Sequence, residues 1–369
     1  MEPPFYGRQR GRQRGRHGNS QRHGHPGSHR VRHERCHWAA SAVARVPHRP
    51  ASRQDRRGPG LAPLSIMASP SPHPPIMTSL PPSFWPLAAT WMLAVLSLWV
   101  PPLGRLPAWM AGLAIAIGTA LALGAMQPAG ALALLLLAAL CAGWRTATHR
   151  LAKGLLLAAI IVLSLALALH VVPGFANPLL LDKVQVSAAS KPVSLYLNLD
   201  KTAVGIILCA TFAVPARGRA AWRAVVAAWP VIVATPLIVL LAGYGAGVIA
   251  IDPKWFASWF AAYAPLFLLT NLFTTCLAEE AFFRALVQGR LADALSKRPD
   301  GARIAVGVAA VLFGVAHAHG GPALIVLATF AGVGYGLAYQ RSGRIEAAIL
   351  THFALNATHF LMFTYPALR

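Results

Sequence analysis

The sequence predicts an all-α fold, a polytopic bundle of about eight to ten membrane-spanning helices, and three observations predict it. Of 369 residues, 56% are hydrophobic and only 12% are charged, whereas soluble domains carry about 25% charged residues. The apolar residues are grouped into runs of about 17–22, long enough for a helix to cross a hydrocarbon core about 30 Å thick. Basic residues are clustered in the short segments between these runs. These observations therefore predict a multi-pass integral membrane protein.

Ten apolar segments are candidates for the spans, and the segment at 203–214 is short enough to be partly re-entrant. Prolines 230, 236 and 265 lie inside spans and are expected to kink them, which membrane helices tolerate when neighbouring groups satisfy the freed backbone. The ten segments are 86–101, 108–126, 128–144, 154–172, 203–214, 224–243, 260–278, 303–317, 322–340 and 345–364.

The orientation follows from four basic loops, at 145–153, 217–223, 290–303 and 341–344. Each loop is separated from the next by two predicted spans, so all four lie on the same side of the membrane. Short loops rich in Lys and Arg stay in the cytoplasm. We therefore expect these loops to be cytoplasmic and the long loop at 173–202 to face outward.

Residues 1–76 form a separate segment that carries 14 Arg, no Lys and three acids. It is rich in Arg, His and Pro, with few aliphatic residues, so we predict that it is disordered. Three interpretations compete: a basic arm for nucleic acid or anionic lipid, a targeting peptide, or a segment upstream of a true start at Met67 or Met77. The third is favoured, because 14 Arg without any Lys resemble GC-rich sequence read through. An arginine-rich tail on the outer side would also break the orientation rule. The integral membrane domain is then 77–369.

The four cysteines do not form a site in the sequence. Cys36, Cys141, Cys209 and Cys276 are widely separated, and three of them lie in apolar runs. Neither metal-ligand spacing nor a disulfide framework is present. We interpret them as small core residues.

The first candidate functional group is the acidic pair Glu279 and Glu280, which follows an apolar run. Ionisable groups within a span cost about 2.5–3.5 kcal/mol each and mark function by default. On a helix, Glu280 and Arg284 share a face at i and i+4, so they are expected to pair. Glu279 is rotated away and has no obvious partner, which favours it as the working carboxylate. The alternative is an ion pair at a helix end near the cytoplasmic surface.

The next span ends with Phe313 one turn before His317. After about fourteen apolar residues, His317 is expected to lie deep in the membrane. Taken alone, it would be interpreted as a histidine at a helix end. His319 is that simpler case, because two glycines and a proline turn the chain directly after it.

The last span carries His352 and Asn356, which again share one helical face. Buried imidazole and amide groups need hydrogen-bond partners, so polar contacts between helices are the alternative to a site. His359 continues this face by one turn and is expected to be supporting or interfacial.

Three spans therefore place a carboxylate pair, a histidine and a histidine–amide pair in one layer. These are the groups that activate water at an amide: a general base, an imidazole and donors for an oxyanion. A metal also fits, since one carboxylate and two histidines form a known catalytic zinc set. No H-E-x-x-H helix is present, however, and the ligands would come from separate helices.

The three motifs E-E-x-x-x-R, F-x-x-x-H and H-x-x-x-N, in this order on successive spans, resemble the CAAX protease and bacteriocin-processing family, also called Abi or type II CAAX endopeptidases. They lie at 279–284, 313–317 and 352–356. The resemblance covers about 260–364 as the protease core. Residues 173–208, with P-G-F-A-N-P and S-L-Y-L-N-L-D-K, resemble a bacterial subgroup of the family.

The resemblance implies a helical membrane bundle with its site in a cavity open to the cytoplasm. It implies that Glu279 activates water with help from His317, and that His352 and Asn356 stabilise the oxyanion. The supporting residues implied by it are Glu280, Arg284 and Phe313. Both metalloprotease and metal-free glutamate mechanisms are argued for such proteins. A metal-free mechanism is favoured here, and zinc, if present, would be bound by Glu279, His317 and His352.

The expected function is an intramembrane endopeptidase of a bacterial inner membrane, acting on a peptide or a membrane protein in contact with lipid and not on nucleic acid. Two other classes remain open: a non-catalytic bacteriocin immunity or peptide-binding protein, and a proton-coupled transporter. The inverted repeats that mark many transporters are not visible in the sequence. Neither the substrate nor the oligomeric state follows from it.

Overall fold

The computed structural model describes residues 80–369 except 103, 258 and 259, and all of these residues belong to one compact unit. Helices make up nearly all of the regular structure, so the predicted all-α class is confirmed. The predicted disordered segment, 1–76, lies outside the described residues.

Thirteen α-helices follow one another in the described part of the chain. Their bounds are α1 Phe84–Leu96, α2 Ala108–Ala122, α3 Pro128–Thr146, α4 Arg150–Ala168, α5 Leu199–Phe212, α6 Gly218–Val226, α7 Trp229–Gly245, α8 Phe260–Thr270, α9 Leu277–Glu280, α10 Gly289–Ala294, α11 Gly301–Ala316, α12 Pro322–Ser342 and α13 Ile345–Met362.

Each of the ten predicted spans coincides with helix in the structure. Among the described residues, five continuous helical segments are long and apolar enough to cross a membrane. Three shorter apolar helices accompany them, at Phe84–Trp99, Ala108–Ala122 and Gly301–Ala316. The five long segments are Pro128–Thr146, Arg150–Ala168, Gly218–Gly245, Tyr263–Ala294 and Pro322–Ser342. The chain is therefore an integral membrane protein.

The loop at 173–202 contains a short antiparallel hairpin that the sequence analysis did not predict. Its strands are β1 Leu179–Val184 and β2 Val193–Tyr196, with Leu179 opposite Tyr196 and Val184 opposite Val193. The register is irregular between these pairs, and six- and four-residue strands carry little sequence periodicity. That is why the hairpin was missed.

The bundle has two ends that differ in charge. The four basic segments lie together at one end, which we call the basic end, although 217–223 is largely helical and lies in α6. Arg344 donates to Val214 O at 3.3 Å and Arg217 to Leu98 O at 2.9 Å. The Arg290 guanidinium lies over the rings of Trp144 and Phe212. The hairpin lies at the other, which we call the hairpin end. There, isolated bridges join Met126 to Phe175, Ser190 to Leu368 and Ile251 to Phe363.

Lys254 holds the loop before α8 to the C-terminal residues at the hairpin end. Its ammonium donates to the carbonyl oxygens of Asp252 and Phe363. Burial lowers the pKa of Lys254 below its usual range, and the Asp252 carboxylate acts in the opposite direction.

Helix α5 lies at the centre of the bundle, where eleven of its 14 residues are buried. The sequence predicts a short, partly re-entrant segment here, and in the structure it is a continuous helix of 14 residues. A Cβ at Gly205 would lie only 2.9 Å from Ala278 Cα, so the glycine permits the close approach of α5 to α9.

The long helix at Tyr263–Ala294 is not a regular α-helix. Two π-helical segments, Asn271–Cys276 and Ala281–Gln288, flank the four residues of α9. Such wide turns rotate the side chains that follow them and are frequent at functional sites. No Pro or Gly between 266 and 288 marks this change in the sequence.

Candidate functional site

Glu280 is the centre of a fully buried charge cluster. It lies on α9, and its side chain and that of Arg284 are both 0% exposed. Arg284 Nε donates to Glu280 Oε2 at 2.9 Å, which is the i, i+4 pairing that the spacing predicts. His352 Nδ1, from α13, donates to Glu280 Oε1 at 2.8 Å. Both carboxylate oxygens are thus engaged by cations or cation-forming groups.

Aromatic rings enclose this cluster. The Arg284 guanidinium lies 5.2 Å from the Phe313 ring centroid and 5.6 Å from that of Tyr335, within reach of cation–π attraction. Its two terminal nitrogens have no hydrogen-bond partner among the described residues. The His352 ring stacks on Tyr335 at 4.5 Å and 15°. The rings therefore hold the imidazole and the guanidinium in fixed orientations.

Glu279 faces a different partner. Lys201 Nζ, at the start of α5, donates to Glu279 Oε1 at 2.6 Å. The second oxygen, Oε2, is buried without a hydrogen-bond partner in the described part of the chain and lies 4.0 Å from His352 Nε2. The expectation that Glu279 has no partner was therefore wrong. Its partner comes from a helix 78 residues away in the sequence.

Asn356 lies one turn beyond His352 on α13 and contacts the first π-helical segment. Its Nδ2 donates to Asn271 Oδ1 at 3.3 Å. The same oxygen accepts from Cys276 Sγ at 3.2 Å. An amide nitrogen carries two N–H donors, so one donor of Asn356 is left for a ligand.

His317 ends α11, half-buried, with its ring 4.6 Å from that of Phe313. Its Nδ1 donates to Phe313 O at 2.8 Å, which leaves Nε2 available. The ring is close enough to Glu279 for an electrostatic interaction. His319 is exposed in the following turn, and no hydrogen bond of its side chain is described. The sequence predicts the same difference, with His317 inside the span and His319 in the turn that follows it.

His359 lies outside this group of residues. Its Nε2 donates to Thr364 O at 3.2 Å, and its ring packs against Tyr365 at 5.1 Å. It joins the end of α13 to the C-terminal residues and does not face the carboxylates.

Three side chains of the site were missed by sequence reasoning: Lys201, Asn271 and Tyr335. A usable signal existed only for Lys201. Lys201 is a charge at the edge of one apolar segment. In another apolar segment, Glu279 has no obvious partner of opposite charge nearby in the sequence. Buried charges of opposite sign tend to pair. Lys201 also ends the S-L-Y-L-N-L-D-K motif.

The residues expected to bind zinc do not have the arrangement that a metal needs. No group of three or more His, Cys, Asp or Glu in the described part of the chain could hold a metal ion. Glu279 Oε1 is bound to an ammonium group, and its Oε2 is 4.0 Å from His352 Nε2. Ligands at about 2.0–2.2 Å from a tetrahedral zinc lie closer together than this. We derive no step through a metal.

A comparison with protein families matches residues 261–358 to the family described as type II CAAX prenyl endopeptidase, Rce1-like. The matched segment runs from α8 to within four residues of the end of α13 and contains all seven residues that the sequence analysis singled out for the site. Comparisons with curated proteins and with solved structures found no match. The resemblance proposed from the three motifs is confirmed.

Proposed function

We propose, because residues 261–358 match the family of Rce1-like type II CAAX prenyl endopeptidases, that this protein hydrolyses peptide bonds with water activated by Glu279. The family supports a protease in general. The identity of the base, the residues that stabilise the oxyanion and the absence of a catalytic metal are our proposals.

The single observation that supports this proposal best is the difference between the surroundings of the two carboxylate oxygens of Glu279. One oxygen is held by Lys201, whereas Oε2 is buried, without a partner among the described residues, and 4.0 Å from His352 Nε2. We propose that the attacking water enters between these two atoms, because hydrogen bonds of about 2.8 Å from one water to each of them span a separation of 4.0 Å. A carboxylate in that position is placed to act as a general base.

The reaction then proceeds in two proton transfers. Glu279 Oε2 takes a proton from the water, and the hydroxide oxygen bonds to the carbonyl carbon of the peptide as the C=O π bond breaks. When the C–N bond breaks, Glu279 returns the proton to the leaving amine. The carboxylate ends in its original ionised state, and a carboxylic acid and an amine are released.

The oxyanion of the intermediate needs donors, and α13 supplies two. Glu280 accepts from His352 Nδ1 and orients the ring, and we propose that Nε2 carries a proton and donates to the oxyanion. The free N–H of Asn356 is the second. Donors that are already oriented stabilise developing charge without reorganisation. His317, at the end of α11, is proposed to assist in positioning the water.

The proposed substrate is a peptide or a membrane protein, because the carboxylates lie midway along a membrane-spanning helix. Lipid surrounds such a site, so substrate segments have to enter it from the membrane or from one of its surfaces. We propose the inner membrane of a bacterium as the location.

The deciding experiment replaces Glu279 by Gln, which removes the base and keeps the size of the side chain. We expect cleavage to fall by about 10²–10⁴-fold while the purified protein keeps its thermal stability. Mass spectrometry of peptides released from membrane proteins measures the loss. Asp293→Asn is the matched control, because Asp293 is an exposed carboxylate on the same long helix.

Normal cleavage by Glu279→Gln would show that Glu279 is not the base. A wild-type protein that binds peptide without releasing products would favour the peptide-binding alternative. Activity that is lost with a chelator and restored by zinc would overturn the metal-free mechanism.

A further inference from the structure

We infer that Lys201 is the positioning residue of Glu279. We also infer that the motifs P-G-F-A-N-P and S-L-Y-L-N-L-D-K, at 173–178 and 194–201, hold the start of α5 so that Lys201 reaches this carboxylate. The inference rests on the proposed function, in which Glu279 is the base. It adds to the three motifs of the family a residue from outside the matched segment.

The contact itself is short and sheltered. Lys201 Nζ and Glu279 Oε1 are 2.6 Å apart, and the two side chains are only 18% and 16% exposed. In such surroundings a charge pair interacts more strongly than in water. The ammonium favours the ionised carboxylate, which is the form that a base requires.

The pairing also selects one carboxylate oxygen. Because Lys201 holds Oε1, the carboxylate is fixed in rotation and Oε2 is directed towards His352 Nε2. Without this bond the carboxylate is free to turn and to bond elsewhere. Lys201 thereby decides which oxygen meets the water.

Helix packing brings the lysine to this place. Gly205 lies one turn after Lys201 on the same face of α5, and its Cα is packed against Ala278, the residue before Glu279. One face of α5 thus provides both the close helix contact and the cation. A larger residue at 205 would separate Lys201 from Glu279.

The start of α5 is held by a buried carboxylate. Asp200 is 1% exposed, and its Oδ1 accepts from the backbone N–H of Lys201 at 2.8 Å. Asn177 Nδ2 donates to the same oxygen at 3.1 Å, while Asn177 Oδ1 accepts from Leu199 N at 2.8 Å. His170 Nδ1 donates to Asp200 Oδ2 at 2.7 Å.

We call the hydrogen-bonded group of His170, Asn177 and Asp200 the clamp. It involves two sequence motifs that have no role in the proposed mechanism. Asn177 belongs to P-G-F-A-N-P, and Asp200 with Lys201 ends S-L-Y-L-N-L-D-K. The first motif holds the last residues of the second through hydrogen bonds. The two motifs act as one unit that orients the first turn of α5.

The first experiment tests the contact without measuring cleavage. Purified protein is treated with an amine-reactive reagent, and mass spectrometry follows the modification of Lys201 and of Lys191, which is exposed in the same loop. We expect Lys201 to react more slowly than Lys191 in the wild type and faster in Glu279→Gln. Equal rates for the two lysines in the wild type would overturn the inference.

The second experiment tests the positioning role. We expect Lys201→Met to lower kcat by about 100-fold, as small misplacements of catalytic groups do, with little change in KM. Lys201→Arg keeps the positive charge and is expected to recover part of kcat. Lys191→Met, the same change at an exposed site, is expected to leave both constants unchanged. A fully active Lys201→Met variant would overturn the role.

The third experiment uses the variant Asn177→Ala to test the clamp. We expect faster modification of Lys201 together with a lower kcat, and no change in either would overturn this part of the inference. If the wild type cleaves nothing but protects Lys201 in a Glu279-dependent way, the contact stands and the proposed function is wrong. The two failures are therefore distinguishable.

Discussion

The fixed charges of the site balance one another. Glu279 and Glu280 carry two negative charges, and Lys201 and Arg284 carry two positive charges, each pair within 2.9 Å. Ionised groups that are removed from water are tolerated when they are paired and hydrogen-bonded. Each of the four charges therefore has a partner of opposite sign.

The buried pair leads to a prediction about stability. Arg284→Met leaves the Glu280 carboxylate with one partner, and we expect the free energy of unfolding to fall by about 3–5 kcal/mol. The double variant Glu280→Gln, Arg284→Met removes both charges, so its loss is expected to be smaller. Thermal unfolding in detergent measures both.

The control for this prediction is Arg303→Met, which removes an arginine that is 84% exposed and paired with Asp300. Exposed pairs contribute about 0–1 kcal/mol. Equal losses at positions 284 and 303 would contradict the view that burial makes the Glu280–Arg284 pair matter.

The elements of the site are irregular where the chemistry is placed. The two π-helical segments on either side of α9 direct Asn271 towards α13 and both glutamates towards different partners. The central helix α5 meets α9 through Gly205. A side chain larger than hydrogen at position 205 would not permit this approach.

Gly205→Ala tests the contact between α5 and α9. A Cβ would lie 2.9 Å from Ala278 Cα, and overpacking of this kind costs about 1–3 kcal/mol. We expect lower thermal stability and a kcat reduced by up to about 100-fold, because Lys201 and Glu279 separate. Gly307→Ala is the matched control, since no heavy atom lies within 4 Å of its Cβ position. Equal behaviour of the two variants would contradict the role of the close approach.

At the scale of the whole molecule, the hairpin-end termini of α5 and α11 supply Lys201 and His317 to the site, whereas Glu279 lies midway along its long helix. Lys201 begins α5 just after the hairpin, and His317 ends the helix that starts near the basic loop at 290–303. If the basic loops are cytoplasmic, Lys201 and His317 lie on the outward half of the bundle. The family resemblance, by contrast, implies a cavity open to the cytoplasm. These two expectations are in conflict.

Single cysteines decide between the two expectations. We expect a membrane-impermeant maleimide to label Ala318→Cys in intact cells, and to label Ser296→Cys only after the cells are opened. Both positions are exposed, one at each end of the bundle. Cys141, Cys209 and Cys276 are buried, and Cys36→Ser removes the remaining thiol from the background. The reverse labelling pattern would place the His317 end of the bundle in the cytoplasm.

The features that sequence analysis predicted correctly are local ones. The ten spans coincide with helices because hydrophobicity over about twenty residues follows from composition alone. The pairing of Glu280 with Arg284 follows from the i, i+4 spacing, which depends only on helix geometry. The three ordered motifs were sufficient to indicate the family. The roles of Glu279, His317, His352 and Asn356 in cleavage stay predictions.

The tertiary structure decided what depends on residues distant in the chain. Lys201 and Glu279 are 78 residues apart, and no periodicity in one sequence pairs two such charges. The π-helical turns pack against α5 and α13, and no Pro or Gly between 266 and 288 marks them in the sequence. The sequence by itself thus determined that the protein is a helical membrane protein and that it carries the three motifs with the glutamates, the histidines and Asn356. Only the fold could bring Lys201 to that glutamate, because its position depends on how buried helices pack.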